Sequence, residues 1–110
     1  MSNTGNSIKD EAIREMSATG VGAITNTYQA LGSVFTRDAF RIWITNNTNG
    51  DLYFSTDGVT DQKKMPAFSG RAYDDKTNDM YRKAGTQWYV RFDVVPGSPA
   101  GWAGLEVEYV

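Results

Sequence analysis

The chain has 110 residues, a net charge of −2, and neither cysteine nor histidine, which excludes disulfides, thiolate chemistry, Cys/His zinc sites and the commonest general base. Its 40% hydrophobic and 22% charged residues describe one globular domain rather than a disordered segment. The acidic balance, with basic residues scattered apart from Lys63-Lys64 and Arg82-Lys83, argues against a nucleic-acid surface, whose affinity comes from clustered cations.

Residues 1–20 form an expected amino-terminal arm, distinct from an expected single domain over 21–110. The leader Met-Ser-Asn-Thr-Gly-Asn-Ser is polar and lacks the apolar core of a signal peptide. No run of about 18 apolar residues follows, so no helical membrane span is expected. Ser7 is placed to cap a short helix, with Asp10 three residues on and Ile8, Ala12 and Met16 along one side. So short a helix is marginal alone in water. The arm therefore either frays or becomes ordered by lying on another surface.

Beyond the arm the signals are those of short strands. Residues 21–31 alternate loosely around Ile24 and Tyr28 and stop at Gly32. Residues 40–45 and 51–55 read as a hairpin about an Asn/Gly turn, with Ile44 opposite Leu52, Ile42 opposite Phe54 and Trp43 opposite Tyr53. A loop is expected from Asp57-Gly58 through Lys63-Lys64 to Pro66, then a weak strand over 67–73 interrupted by Gly70, then a polar loop over 74–79. In the last third Thr86, Trp88, Val90, Phe92 and Val94 alternate with polar residues, and so do Leu105, Val107 and Tyr109. A second hairpin pairs Phe92 with Leu105 and Arg91 with Glu106; a two-residue slip, setting Arg91 opposite Glu108, is nearly as good. Together these strands predict an all-β, antiparallel β-sandwich or jelly roll with an amino-terminal arm. The aromatic share of 13% fits that class.

Groups for chemistry are sparse. Asp57 with Asp61, and Asp74 or Asp75 with Asp79, are candidate carboxylate pairs, but they lie among Thr, Asn and Gly, where Asp serves turns. Asp75, Thr77 and Asp79 alternate as oxygen donors, yet the EF-hand glycine and terminal glutamate are missing. Asn46-Asn47-Thr48 matches the glycosylation triplet without a secretory signal to make use of it. No enzyme activity, cofactor, metal or small-molecule substrate is expected. The remaining candidate is a contact surface made by Ile8, Ile13 and Met16 of the arm and by Trp43, Tyr53 and Tyr89, whose rings oppose the apolar rows of their strands. These rings are either exposed or covered by a loop or another sheet.

The phrase at 44–61, Ile-Thr-Asn-Asn-Thr-Asn-Gly-Asp-Leu-Tyr-Phe-Ser-Thr-Asp-Gly-Val-Thr-Asp, followed by Pro66-Ala67, Thr77-Asn78 and Ala-Gly-Thr-Gln-Trp-Tyr-Val-Arg at 84–91, resembles small virion structural proteins of tailed double-stranded DNA phages. With this chain length it is similar to the capsid decoration, or cement, protein of short-tailed phages of the epsilon-fifteen type. The resemblance covers about residues 40–95 and leaves out the arm. It implies a jelly roll that sits as a homodimer on the capsid exterior, is made in the host bacterial cytoplasm, and bridges neighbouring major capsid protein subunits. It implies no catalytic residue. A carbohydrate-binding β-sandwich of a phage fibre or tail accessory protein, stacking sugars on Trp43, Tyr53 and Trp102, is the alternative. Neither nucleic acid nor membrane is an expected partner.

Overall fold

Period-two alternation governs the structure: each long strand hides one row of side chains and shows the other. The computed structural model describes residues 11–20, 23–74 and 83–109. Among these the chain is all β and contains no helix: β1 (Glu11–Ser17), β2 (Gln29–Leu31), β3 (Ala39–Thr48), β4 (Leu52–Ser55), β5 (Lys63–Met65), β6 (Ser69–Asp74), β7 (Trp88–Phe92) and β8 (Gly101–Tyr109). They make two four-stranded antiparallel sheets that pack together, a first with order β1-β8-β3-β6 and a second with order β2-β7-β4-β5.

The pairings are nested. First strand lies beside last, second beside seventh, third beside sixth and fourth beside fifth, so the chain behaves as one long ribbon folded back on itself and rolled into two layers. The ladders β3–β8 and β4–β7 hold the rolled ribbon within each sheet. Between the sheets lies a dry layer of Ile42, Ile44, Leu105 and Val107 from one side and Leu52, Phe54, Trp88, Val90 and Phe92 from the other, all 1% exposed or less. Facing apolar rows of two sheets make such a core.

The expected inward and outward rows hold for these residues, but the expected neighbours do not. Ile44 faces Leu105 and Arg71, not Leu52, and Leu52 faces Met65 and Phe92. Likewise β7 and β8 never pair: Arg91 lies opposite Tyr53, and Glu106 lies between Ile13 and Trp43. Both expected hairpins are therefore corrected to crossings from one sheet to the other. Trp43 and Tyr53 end on opposite outer faces of the sandwich as a consequence.

Four smaller corrections follow from the ladders. Residues 11–16, the described part of the helix expected to end at Met16, lie instead in edge strand β1 on β8. Ala12 and Met16 are four apart, a spacing that shares one side of a helix and one side of a strand alike; both pack against the core. Lys63–Met65, expected in a loop, is β5. Phe40 is exposed rather than aligned with Ile42, because the register shifts between Ala39 and Arg41 and puts Ala39 inside instead. Of the expected strand at 21–31, Gln29–Leu31 alone forms a ladder among the described residues 23–31.

The crossing from β3 to β4 is fixed by one buried side chain. Asn46 Nδ2 donates to the carbonyls of Gly50 (2.8 Å), Met65 (2.9 Å) and Pro66 (3.0 Å). Its Oδ1 accepts from Thr48 N at 2.9 Å and lies 2.6 Å from Thr48 Oγ1. Asn49 then joins this end to the β7–β8 connection, donating to Ser98 O at 2.9 Å and accepting from Ala100 N at 3.0 Å. Gly101 is required beside it, since a Cβ at its φ of +93° would lie 1.9 Å from Asn47 O. Asn46 is fully buried, so the glycosylation triplet is inaccessible.

Asn46→Ala removes the side-chain partner of Met65 O and of Thr48 N, while Gly50 O and Pro66 O keep the Thr48 and Ser69 hydroxyls, and a buried group left unpaired costs about 1–3 kcal/mol. We expect urea denaturation to show a loss of about 3 kcal/mol. The isosteric Asn46→Asp should lose at least as much, because a carboxylate cannot donate to three carbonyls.

Candidate functional surface

The two outer faces of the sandwich differ in how far their charges satisfy one another. On the second sheet Arg91 is held by Asp61 through two bonds, Nε to Oδ1 at 3.2 Å and Nη2 to Oδ2 at 2.8 Å. Its guanidinium lies 4.6 Å from the ring centre of Tyr53 and 5.4 Å from that of Tyr28. Tyr28 OH donates to Asp61 Oδ1 at 2.5 Å. Lys64 covers Tyr53 from the other side, 5.5 Å from its centre, with Asp93 at 3.2 Å. Arg91 and then Tyr28 hold the Asp61 carboxyl below its ordinary range. Loss of hydration, followed by the bond to Asp61, pushes Tyr28 up. This face is closed by cation–π contacts and ion pairs.

The loop above it is equally occupied. Asp57 Oδ1 accepts from Ser55 Oγ (2.7 Å), Val59 N (2.8 Å) and Thr60 N (2.8 Å), and these bonds hold its carboxyl far below the usual range, the Thr60 amide contributing most. Gly58, at φ +75°, approaches the ring of Tyr89 so closely that a Cβ there would lie 3.4 Å away. A general acid near neutral pH needs a raised carboxyl pKa, and Asp57 and Asp61 are both lowered. They act as turn former and ion-pair partner. The other carboxylate pair and the oxygen-donor series Asp75, Thr77 and Asp79 lie outside the described residues or side chains, and the described ones contain no metal-holding cluster.

The first sheet is different. Its outward positions form rows across the strands: Glu11–Glu108–Arg41, Ile13–Glu106–Trp43–Ala72, Glu15–Gly104–Thr45–Gly70, and Ser17–Trp102–Asn47. Four carboxylates thus neighbour one another, and among the described residues of these rows Arg41 is the one cation, 3.8 Å from Glu108. Loss of hydration, then the carboxylates of Glu106 and Glu108, hold Glu11 above its ordinary value. Ile13 is 65% exposed and Trp43 47%. The two indoles lie against glycines: a Cβ on Gly104 would come within 2.7 Å of Trp102, and one on Gly70 within 3.4 Å of Trp43 Nε1. Two shallow depressions flank Glu106, one of about 290 Å³ lined by Arg41, Trp43, Glu106 and Glu108, the other of about 220 Å³ lined by Ile13, Glu15, Thr45 and Trp102.

Of the six residues expected to meet a partner, the structure brings Ile13 and Trp43 together in one row of this face. Met16 points into the sandwich, while Tyr53 and Tyr89 belong to the opposite face and are half-buried there, Tyr53 beside Arg91 and Lys64. Ile8 lies outside the described residues. Trp102, expected only as a sugar-stacking residue, and the glutamates, not expected in a contact surface at all, share this face with Ile13 and Trp43. The sequence signal for Trp102 is the glycine two residues on, which leaves room for an indole to lie along the strand. Comparison with protein-family models, curated proteins and solved structures finds no match.

The pKa directions set the acid response. Asp57 and Asp61 lie below the ordinary carboxyl value of about 4, so they contribute stability above that pH that is lost as pH falls through their lower native values. Glu11 is raised, so its contribution is present at acid pH and lost as pH rises through its native value. Asp57→Asn should flatten the acid-side fall of the melting temperature. Glu11→Gln should raise the melting temperature at pH 7 and leave it unchanged near pH 3, as thermal unfolding across pH will show.

Proposed function

We propose that the protein is a non-enzymatic virion structural protein that decorates a phage capsid, docking through the outer face of the first sheet and bridging neighbouring coat subunits. The observation that carries this is the contrast between the faces. One is closed by its own ion pairs and cation–π contacts. The other keeps apolar side chains in water and sets carboxylates beside one another, an arrangement that costs stability unless a partner covers it. An apolar centre with a charged rim is the anatomy of a protein interface, and the acidic rim speaks against nucleic acid.

The nested pairing of strands supports a jelly-roll reading, since rolling one long folded-back ribbon generates that architecture. Among the described residues β1 has a neighbour on one side only; a second copy extending the sheet there is the homodimer of this proposal. The partner is the major capsid protein, and the location is the capsid exterior, reached after synthesis in the host bacterial cytoplasm, where a cysteine-free chain is at home. Because Glu11–Ser17 is a strand, a truncation that tests an arm must stop before Glu11.

A second reading has its own support. The indoles of Trp43 and Trp102 lie along one sheet face with Gly104 and Thr45 between them and Glu106 beside Trp43, which suits stacking on sugar rings. Tyr53, on the far side, takes no part in it.

Trp43→Ala should weaken binding to empty shells of the coat protein from the same genome by about thirtyfold, the effect of losing a central interface tryptophan, with the melting temperature unchanged. Saturation of shells by the variant at the parent's affinity would remove the face from the proposal. Specific binding on a glycan array, lost with the same substitution, would favour the sugar reading.

A further inference from the structure

Among the described residues five glycines take a positive φ, at Gly20, Gly32, Gly58, Gly85 and Gly101, and one other residue does: Phe68, at 58°. A bulky side chain in the left-handed region is strained. Phe68 is also 68% exposed, so its ring does not gain the burial that usually favours an aromatic. Glycine would fit this backbone with less strain and less apolar surface.

The surroundings impose the conformation. Ser69 Oγ donates to Pro66 O at 2.6 Å, Ala67 N donates to Asp51 Oδ1 at 3.3 Å, and Asn46 Nδ2 reaches the carbonyls of Met65 and Pro66. Strain of this kind persists where the structure over-determines it, and it gathers at functional positions. Phe68 precedes β6 by one residue. It follows directly on the last pair of the β3–β6 ladder, Asn46–Ser69, next to Gly70 of the first sheet's outer face. The turn that carries Phe68 thus borders that face.

We propose that Phe68 is the anchor of the docking surface: its ring enters an apolar socket on the coat subunit, and basic groups farther along the same coat surface meet Glu15, Glu106 and Glu108. The inference rests on the docking reading of that face and adds its anchor and the chemistry of its partner. Buried aromatic anchors surrounded by weaker contacts are where interface energy concentrates, and opposed charges set orientation and encounter rate.

The experiment is co-sedimentation of the full chain with empty coat-protein shells from the same genome, alongside thermal unfolding. Phe68→Gly and Phe68→Asn both tolerate the left-handed backbone. Each should bind at least about tenfold more weakly while the melting temperature holds or rises; Phe68→Tyr should bind as the parent does. If both variants bind as tightly as the parent, the anchor is refuted and the docking face stands. A fall in melting temperature for both also refutes it, because the ring would then serve the fold. If the parent itself leaves shells undecorated, the docking reading falls and takes the anchor with it.

Discussion

The structure turns on the buried amide of Asn46. It lies where β3 leaves the first sheet, and its hydrogen bonds reach the start of β4 and the connection from β5 to β6. Those are the places where the ribbon changes layer on either side of its apex. A buried amide that reaches several backbone carbonyls fixes geometry in a way that apolar contacts, which are non-directional, do not. Without it the two apolar rows would still attract each other, but among the described residues the crossing would keep only the Thr48 hydroxyl's bonds with Gly50 as side-chain restraints between β3 and β4. The turn that presents Phe68 is tied to the same amide.

The phrases that carry the resemblance to phage virion proteins have a structural meaning here. Ser55, Asp57 and Gly58 close the loop after β4. Asp61, at the end of that phrase, binds Arg91, at the end of the later one, and Gly58 sits against Tyr89. The Asn-x-Thr step contains the Asn46 amide and its Thr48 partner. Residues far apart in the chain are thus the two halves of one set of contacts, and they maintain the fold and the closed outer face. To the outer face of the first sheet the phrase at 44–61 contributes Thr45 and Asn47.

The sandwich has two sides that differ in how their charges are satisfied. Cations on the second sheet lie over tyrosine rings and against aspartates, so little remains there for another molecule to satisfy. On the first sheet the acidic residues of β1 and β8 meet across the ladder, and the tryptophans lie over glycines rather than under cations. An assembly that covered this face would remove apolar surface from water and place opposite charge beside the carboxylates, relieving both costs together.

The sequence alone established which side of each strand is dry. Ile42, Ile44, Leu52, Phe54, Val90, Phe92, Leu105 and Val107 were legible as core because alternation is a property of one strand and needs no partner. Adjacency was not legible. Backbone hydrogen bonds are alike for every residue, so Ile44 could sit beside Leu52 or Leu105 with the same apolar match, and the nearer one in sequence was the wrong choice. Gathering Glu11, Glu106 and Glu108 into one patch, separating Trp43 from Tyr53, and placing a phenylalanine at a positive φ are outcomes of long-range pairing. Tertiary structure decided them, because only the closed ladders bring the first strand to the last.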